Sequence, residues 1–416
     1  MKVNTITGKQ RCWEKIITLS NVAAILAESF IRGILKCKRI KTDSQEILIA
    51  YSNVVGDSIA FLDVINEFDK MYPKSQGYDV KFLCRPVTKK LYNDVFPECT
   101  LNIVPIDWTK FTRSYRYYCS VIRRFGGVYS KVIVPYAHTR TNDIFIRSVK
   151  AKDKITQEYD IKKKKVAIEA IIYKYIYTDI QWISENLSVL ITQRMFIQYL
   201  GNKSFKSHLP KIDLIPNVQL KKPAGKYIII GPTSNLESKR WPLDRFAQLA
   251  DYLIEKYDCP ICICGGNEEP YMFDRFSKMV KHQKLLMDYV CKTDFKQWIE
   301  LFRSAELVIC NDSANYHVAS AVRTAVVCIA GDFANVNVPL YDPDVKDEKG
   351  YAPILLYKNM PCHGCIYKGY EPGFKNAQCN AEIKNGNSML CVQNITLTKV
   401  IESAEKMIEK FNINFR

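Results

Sequence analysis

Residues 226–253 read KYIIIGPTSNLESKRWPLDRFAQLADYL. The apolar run Tyr227-Ile228-Ile229-Ile230, closed by Gly231-Pro232, has the length and β-branched content of a buried strand. A polar stretch with small hydroxyl residues and two cations follows it. From Pro242 onward, Leu243, Phe246, Leu249, Ala250 and Leu253 recur at helical spacing, so 242–257 reads as an amphipathic helix, and a proline suits its first turn. Strand, polar loop and helix in that order form the repeating unit of an α/β protein, in which ligands bind beyond the carboxyl ends of the strands.

The same unit recurs in both directions. Downstream, CPICICGG (259–266), AELVICND (305–312) and TAVVCIAG (324–331) read as strands, with helices at 294–304 and 315–323. Upstream, EILIAYS (46–52), DVKFLCR (79–85), LNIVPI (101–106) and YSKVIVPY (129–136) read as strands, with helices that include 57–72 and 112–124. Two series of alternating elements imply two α/β domains with parallel sheets. Between them, 151–181 is lysine-rich, carries KKKK at 162–165 and reads as a loop; 182–200 reads as a helix capped by Gly201; and 202–224, with Pro210, Pro216 and Pro223, reads as a linker. The expected divisions are 1–42, a helical and basic lead-in; 43–215, the first domain; 222–395, the second; and 396–416, a final helix.

Composition narrows the class. A chain of 416 residues with 47% hydrophobic and 25% charged residues is neither disordered nor a disulfide miniprotein. Lys and Arg number 60 against 43 Asp and Glu, a net charge of +17. That excess fits a solvated basic surface, nucleic acid, an anionic membrane or a phosphorylated substrate. No aromatic RNA-binding signature and no zinc-finger spacing is present, which makes nucleic acid the weaker partner. Of the fifteen cysteines, Cys259, Cys262, Cys264 and Cys310 lie inside apolar strand runs, as small buried hydrophobes do in a reducing compartment. Glu14 and Glu28 interrupt the first apolar stretch, which argues against a secretion signal, and the uncharged run 16–27 is too short to span a bilayer. Residues 13–36 read as an amphipathic helix with Ile16, Leu19, Ala23, Leu26, Phe30 and Ile34 on one stripe, followed by Lys36, Lys38, Arg39 and Lys41. Such a helix either packs on the first domain or lies on an anionic membrane.

Four post-strand loops carry groups suited to chemistry. NVVGD (53–57) pairs a glycine, which lets a ligand approach the backbone, with Asp57 at a helix start, where aspartate is also an ordinary cap. GPTSNLESKRWP (231–242) offers Thr233, Ser234 and Lys239 to phosphate oxygens, without the residue order of a Walker A loop. CNDSANYH (310–317) leads small polar residues into a helix N-terminus, a natural phosphate seat, with His317 in the first turn. GGNEE (265–269) places acidic residues, Glu268 among them, where ribose hydroxyls would bind. Separately, Cys362, Cys365, Cys379 and Cys391 have spacing compatible either with a structural zinc site or with free, oxidisable thiols.

Taken together, these loops resemble glycosyltransferase family 9, the ADP-heptose:lipopolysaccharide heptosyltransferases, in order over roughly residues 46–400. VVGDSIAFLDVI (54–65), SKRWPLDRFAQLADYL (238–253) and DSANYHVASAVRTAVVCIAG (312–331) look like the three signatures of that family. The departure is Ala314, where the family usually has glycine. The resemblance implies a GT-B fold, two Rossmann-like domains facing across a cleft, with the final helix returning to the first domain. It implies an inverting transferase with Asp57 as general base. The donor, an ADP-heptose-like nucleotide sugar used without further cofactor or metal, would be held by Thr233, Ser234, Lys239, Glu268, Asp312, Ser313, Ala314 and His317. An anionic glycolipid or glycan acceptor would meet Arg113, Arg116, His138 and Arg140. The implied setting is cytoplasmic, with peripheral contact at the inner membrane surface. A sugar-nucleotide epimerase and a non-catalytic sugar-nucleotide or glycan binder are the alternative functions.

Overall fold

The computed structural model describes residues 19–20, 22–31, 42–135, 140–159, 175–183, 187–266, 270–330, 351, 353–357, 360 and 377–415. Two parallel sheets organise the chain. The first contains β1 (Glu46–Ala50), β2 (Asp79–Cys84), β3 (Asn102–Pro105), β4 (Val128–Val134), β5 (Lys150–Tyr159) and β6 (Asp179–Ile183), in the order β3-β2-β1-β4-β5-β6. The second contains β7 (Ile228–Gly231), β8 (Ile261–Ile263), β9 (Leu286–Asp288), β10 (Leu307–Asn311), β11 (Ala325–Ile329) and β12 (Ile354–Leu356), in the order β12-β11-β10-β7-β8-β9. Read from the other edge, this is the same order as the first. Each sheet therefore reverses direction beside its first strand, between β1 and β4 and between β7 and β10, where ligands bind in open α/β sheets.

Helices cover both faces. In the first half these are α1 (22–31), α2 (Val55–Ala60), α3 (Leu62–Met71), α4 (Pro86–Val95), α5 (Trp108–Arg113), α6 (Tyr115–Arg124), α7 (Arg140–Ser148) and α8 (Val189–Leu200). In the second they are α9 (Leu243–Tyr257), α10 (Met272–Ser277), α11 (Phe295–Arg303), α12 (Ala314–Ala321), α13 (Ala377–Lys384), α14 (Leu390–Gln393) and α15 (Leu397–Lys410). Strand alternation divides the first core: Ile47, Ile49 and Tyr51 pack with α2 and α3, while Leu48 and Ala50 pack with Ile25 of α1 and with α5, α6 and α7. The cluster holding α2 and α3 runs on without a break into the core of the second sheet. That continuity is apolar burial, the dominant favourable term, joining the two halves.

The segment 202–215 lies against both halves. Asn202 Nδ2 reaches Glu67 of α3, and the His208 N–H donates to Asp63 Oδ2 at 3.1 Å. Four residues on, the Ile212 N–H donates to the Ala321 carbonyl, and Arg323 donates to the carbonyl of Pro210. Lys296 of α11 also approaches Asp94 of α4 at 3.6 Å.

Several expectations are corrected. The segment 151–181 is no loop: Lys150–Tyr159 is a ten-residue strand and Asp179–Ile183 pairs beside it. Hydropathy hides β5 because four of its buried positions, Lys154, Thr156, Gln157 and Glu158, are polar. Thr156 Oγ1 donates to the Val134 carbonyl, and Gln157 Nε2 donates to Gln181 Oε1 and to the Thr192 carbonyl. The KKKK run lies outside the described residues. The helix expected at 57–72 is two, broken at Phe61, and the helix expected from 182 starts at Val189, after β6. The final helix packs on the second domain. Val400, Ala404, Met407 and Ile408 bury it against the second sheet, and Glu405 pairs with Tyr252 and Lys256 of α9. The expected apolar stripe of the first helix faces outward at Leu19, Ala23, Leu26 and Phe30, while Ile25 and Ser29 face the domain.

Candidate active site

The site is built where α2 meets α12. Val54 caps α2 with extended backbone, so Asp57 is the third helical residue and not the cap itself. Its carboxylate accepts the Val54 N–H, as an acidic residue at this position commonly does. Gly56 supplies the close approach. A Cβ built there would lie 2.7 Å from His317 Cδ2 and 3.6 Å from the Ala314 Cα. Only a residue without a side chain lets the two helices come this near.

The loop after β7 is anchored from β10. Asn311, fully buried at the end of its strand, accepts the Trp241 N–H at 2.9 Å and donates to the Pro232 carbonyl at 2.6 Å, gripping the loop at both ends. The Ser234 hydroxyl donates to the Asp312 carbonyl at 3.1 Å, and Arg240 donates to the Ser234 carbonyl through Nε and Nη2. Trp241 is buried, with Nε1 donating to the Ile395 carbonyl. Thus held, the loop carries Lys239 to within 2.9 Å of Asp312 Oδ2. Gly231 has a matching role: a Cβ there would meet Asn315 Nδ2 at 2.5 Å. Asn315 in turn accepts from Trp298 Nε1.

Electrostatics distinguish two buried titratable groups near Lys239, Asp57 and His317. Burial pushes the Asp57 carboxyl up to about 6; the Lys239 charge pulls it down, and the Asp312 charge pushes it up. Burial likewise holds His317 down at about 4, with Asp312 raising it and Lys239 lowering it, so the imidazole is neutral at pH 7. His317 Nδ1 and Ser313 Oγ are buried without a hydrogen-bond partner, as is Ser320 Oγ one turn further along α12. Buried polar atoms are normally satisfied, and an unpaired one costs about 1–3 kcal/mol. His317 Nδ1 and Ser313 Oγ therefore suit a polar ligand at the first turn of α12, where backbone N–H groups and the helix dipole favour an anion.

Most of the expected site residues converge here. Asp57, Lys239, Asp312, Ser313, Ala314 and His317 share one junction, and Ser234 underlies it, its hydroxyl engaged with the Asp312 carbonyl. Thr233 lies beside Gly265, its Cγ2 3.0 Å from where a Cβ would stand. Glu268, His138, Cys362 and Cys365 lie outside the described residues. Arg140 opens α7 just beyond the carboxyl end of β4, next to β1. Arg113 and Arg116 are exposed on α5 and α6, which cover the sheet face opposite α2. Cys379 and Cys391 are buried, and among the described residues no group of three His, Cys, Asp or Glu side chains could hold a metal ion. Sequence reading missed Asn311 and Asn315. The available signal was a polar residue closing the otherwise apolar strand LVICN.

The model of glycosyltransferase family 9 (heptosyltransferase) matches residues 196–348, the stretch that carries Lys239, Asp312 and His317. Over that stretch the chain is similar to glycosyltransferase family 9. A stretch of 87 residues is 30% identical to lipooligosaccharide heptosyltransferase 2 of Haemophilus ducreyi; it covers 20% of this chain and a quarter, 25%, of that protein's length. Solved structures extend the likeness to the whole fold. The family 9 glycosyl transferase of Veillonella parvula superposes with a TM-score of 0.63 at 16% identity, covering 90% of this chain and 100% of that one. ADP-heptose lps heptosyltransferase II of E. coli gives 0.59 at 13% identity over 88% and 99%. E. coli heptosyltransferase WaaC with ADP-2-deoxy-2-fluoro heptose gives 0.57 at 13% identity over 87% and 99%. These likenesses establish the GT-B fold for this chain.

Proposed function

We propose that this protein is an inverting glycosyltransferase of family 9 that moves a heptose-like sugar from a nucleoside diphosphate to a lipopolysaccharide-core or related surface-glycan acceptor. The observation that carries the reading is the placing of Asp57, from the first half of the chain, against Lys239, Asp312 and His317 from the second. In the reaction the acceptor oxygen forms a bond to the anomeric carbon while the bond to the diphosphate oxygen breaks. The acceptor proton passes to Asp57, and the electron pair of the breaking bond leaves with the nucleoside diphosphate. A carboxyl held near 6 is ionised at neutral pH yet far more basic than a solvated aspartate, as a general base should be.

Negative charge grows on the leaving diphosphate, and preorganised cations and helix N-termini stabilise such charge. Lys239 supplies a cation and the first turn of α12 supplies N–H groups, with Ser313 and the neutral His317 as further hydrogen-bonding partners. Thr233 belongs to the same donor pocket in this reading. Arg140, which opens α7 at the carboxyl edge of the first sheet, is assigned to the anionic acceptor in this reading. The test is nucleoside diphosphate release from ADP-heptose with and without a heptose-accepting core glycolipid. Release that depends on the glycolipid supports the proposal. Release of free sugar without it, or binding without turnover, overturns it in favour of an epimerase or a binding protein.

A further inference from the structure

We infer that α1, together with the adjoining cations of α5 and α6, is a docking face for an anionic lipid bilayer. The helix is apolar nearly all round. It gives the domain only a narrow seam, Ile25 and Ser29, while Leu19, Leu26, Phe30 and Ile31 remain 69%, 44%, 59% and 56% exposed. A helix apolar on all sides normally sits in a core or against lipid, and a contiguous apolar patch on a soluble surface marks an interaction site.

Charge decides the occupant. The Tyr115 hydroxyl, at the start of α6, bonds the Glu28 carboxylate of α1 and so engages the one acidic side chain of that helix. On α5 and α6, Lys110, Arg113, Arg116, Arg123 and Arg124 are all exposed, and no ion pair between them and a carboxylate occurs among the described residues. Lys36, Lys38, Arg39 and Lys41 follow the helix in sequence. An apolar helix face accompanied by exposed cations matches the acyl boundary and the headgroups of an anionic membrane. No described helix is long and apolar enough to cross a bilayer, so α1 would lie in the surface. This reassigns Arg113 and Arg116 from acceptor binding to membrane contact, in keeping with their place on the sheet face away from Asp57.

The test is co-sedimentation of the full chain with vesicles of phosphatidylcholine alone and with vesicles containing about a third phosphatidylglycerol. The wild type should sediment with the anionic vesicles only and be released as salt rises. Leu26→Glu/Phe30→Glu and, separately, Arg116→Glu/Arg123→Glu should each weaken partitioning by about tenfold or more. All four substituted side chains are exposed, and an unchanged thermal melt verifies folding. Equal sedimentation with both vesicle types, or undiminished binding by the folded Leu26→Glu/Phe30→Glu variant, overturns the inference. So does a wild-type dimer in sedimentation equilibrium that this variant dissociates, since a second copy would then be the occupant. None of these readouts uses transfer activity, so they stand apart from the proposed reaction.

Discussion

Gly56 and His317 touch so closely that a single methyl group at position 56 would lie 2.7 Å from the imidazole. One belongs to the first turn of α2 and the other to the first turn of α12, so this contact sets how far Asp57 stands from the donor side of the junction. Gly56→Ala should force the two helix starts apart and cost about 1–3 kcal/mol, the usual penalty for overpacking. Gly56→Ala/His317→Ala should recover most of that stability without recovering transfer. Urea denaturation reads the first effect, and diphosphate release reads the second. A Gly56→Ala variant as stable and active as wild type would show that the contact does not define the site.

Asp57→Asn keeps the size of the side chain and an oxygen for the Val54 N–H, but removes the proton acceptor. Transfer should fall by about 10²–10⁴-fold while donor affinity survives. Near-normal turnover at saturating donor and acceptor would reassign Asp57 to a structural role.

The pH profile follows from the same carboxyl. Asp57 must be ionised to take the proton, so kcat/KM should be level above about 7 and fall about tenfold per unit below the value near 6. His317, held near 4, should add no limb between 5 and 8. Stability has the opposite sense. The folded chain holds the Asp57 proton more tightly than the unfolded chain, so stability is lost as pH rises from about 4 to about 6. Asp57→Asn should therefore melt no lower than wild type at pH 7, and the difference should vanish below pH 4.

Lys239→Ala removes the cation proposed for the diphosphate. Charge-assisted hydrogen bonds contribute about 1.5–3 kcal/mol, so nucleoside diphosphate affinity should drop about tenfold or more. Because the substitution also leaves Asp312 without its partner, calorimetry on Lys239→Ala/Asp312→Asn should show the same loss. Unchanged affinity in both variants would remove Lys239 from the phosphate site.

Asn311→Leu tests the loop anchor. It leaves the Trp241 N–H and the Pro232 carbonyl buried and unpaired, at about 1–3 kcal/mol each. Lower stability in urea should accompany a raised donor KM, since the loop carries Lys239. An unaltered KM would confine Asn311 to folding.

Much of this protein was legible in its amino-acid order because its central strands are apolar. EILIA, IIIG, LVICN and AVVCI announce themselves by hydropathy, and the residues just beyond them inherit the ligand-facing edge of an α/β sheet. Asp57, Lys239 and the helix start at 312–317 were found on that basis and on their likeness to family 9 signatures. Other features were illegible for definite reasons. β5 buries Thr156 and Gln157 in place of an apolar face, and their partners, Val134, Gln181 and Thr192, are distant in sequence. The amphipathic stripe of α1 marked one face of the helix, but not whether that face met the domain or the solvent. Sequence thus determined which residues are chemically able to act, because side-chain chemistry and local periodicity are properties of short segments. Tertiary structure alone decided that Gly56 admits His317, that Asp57 loses its water and titrates near 6, and that Lys239 finds Asp312. Burial and through-space charge depend on residues hundreds of positions apart, and only the packed fold brings those together.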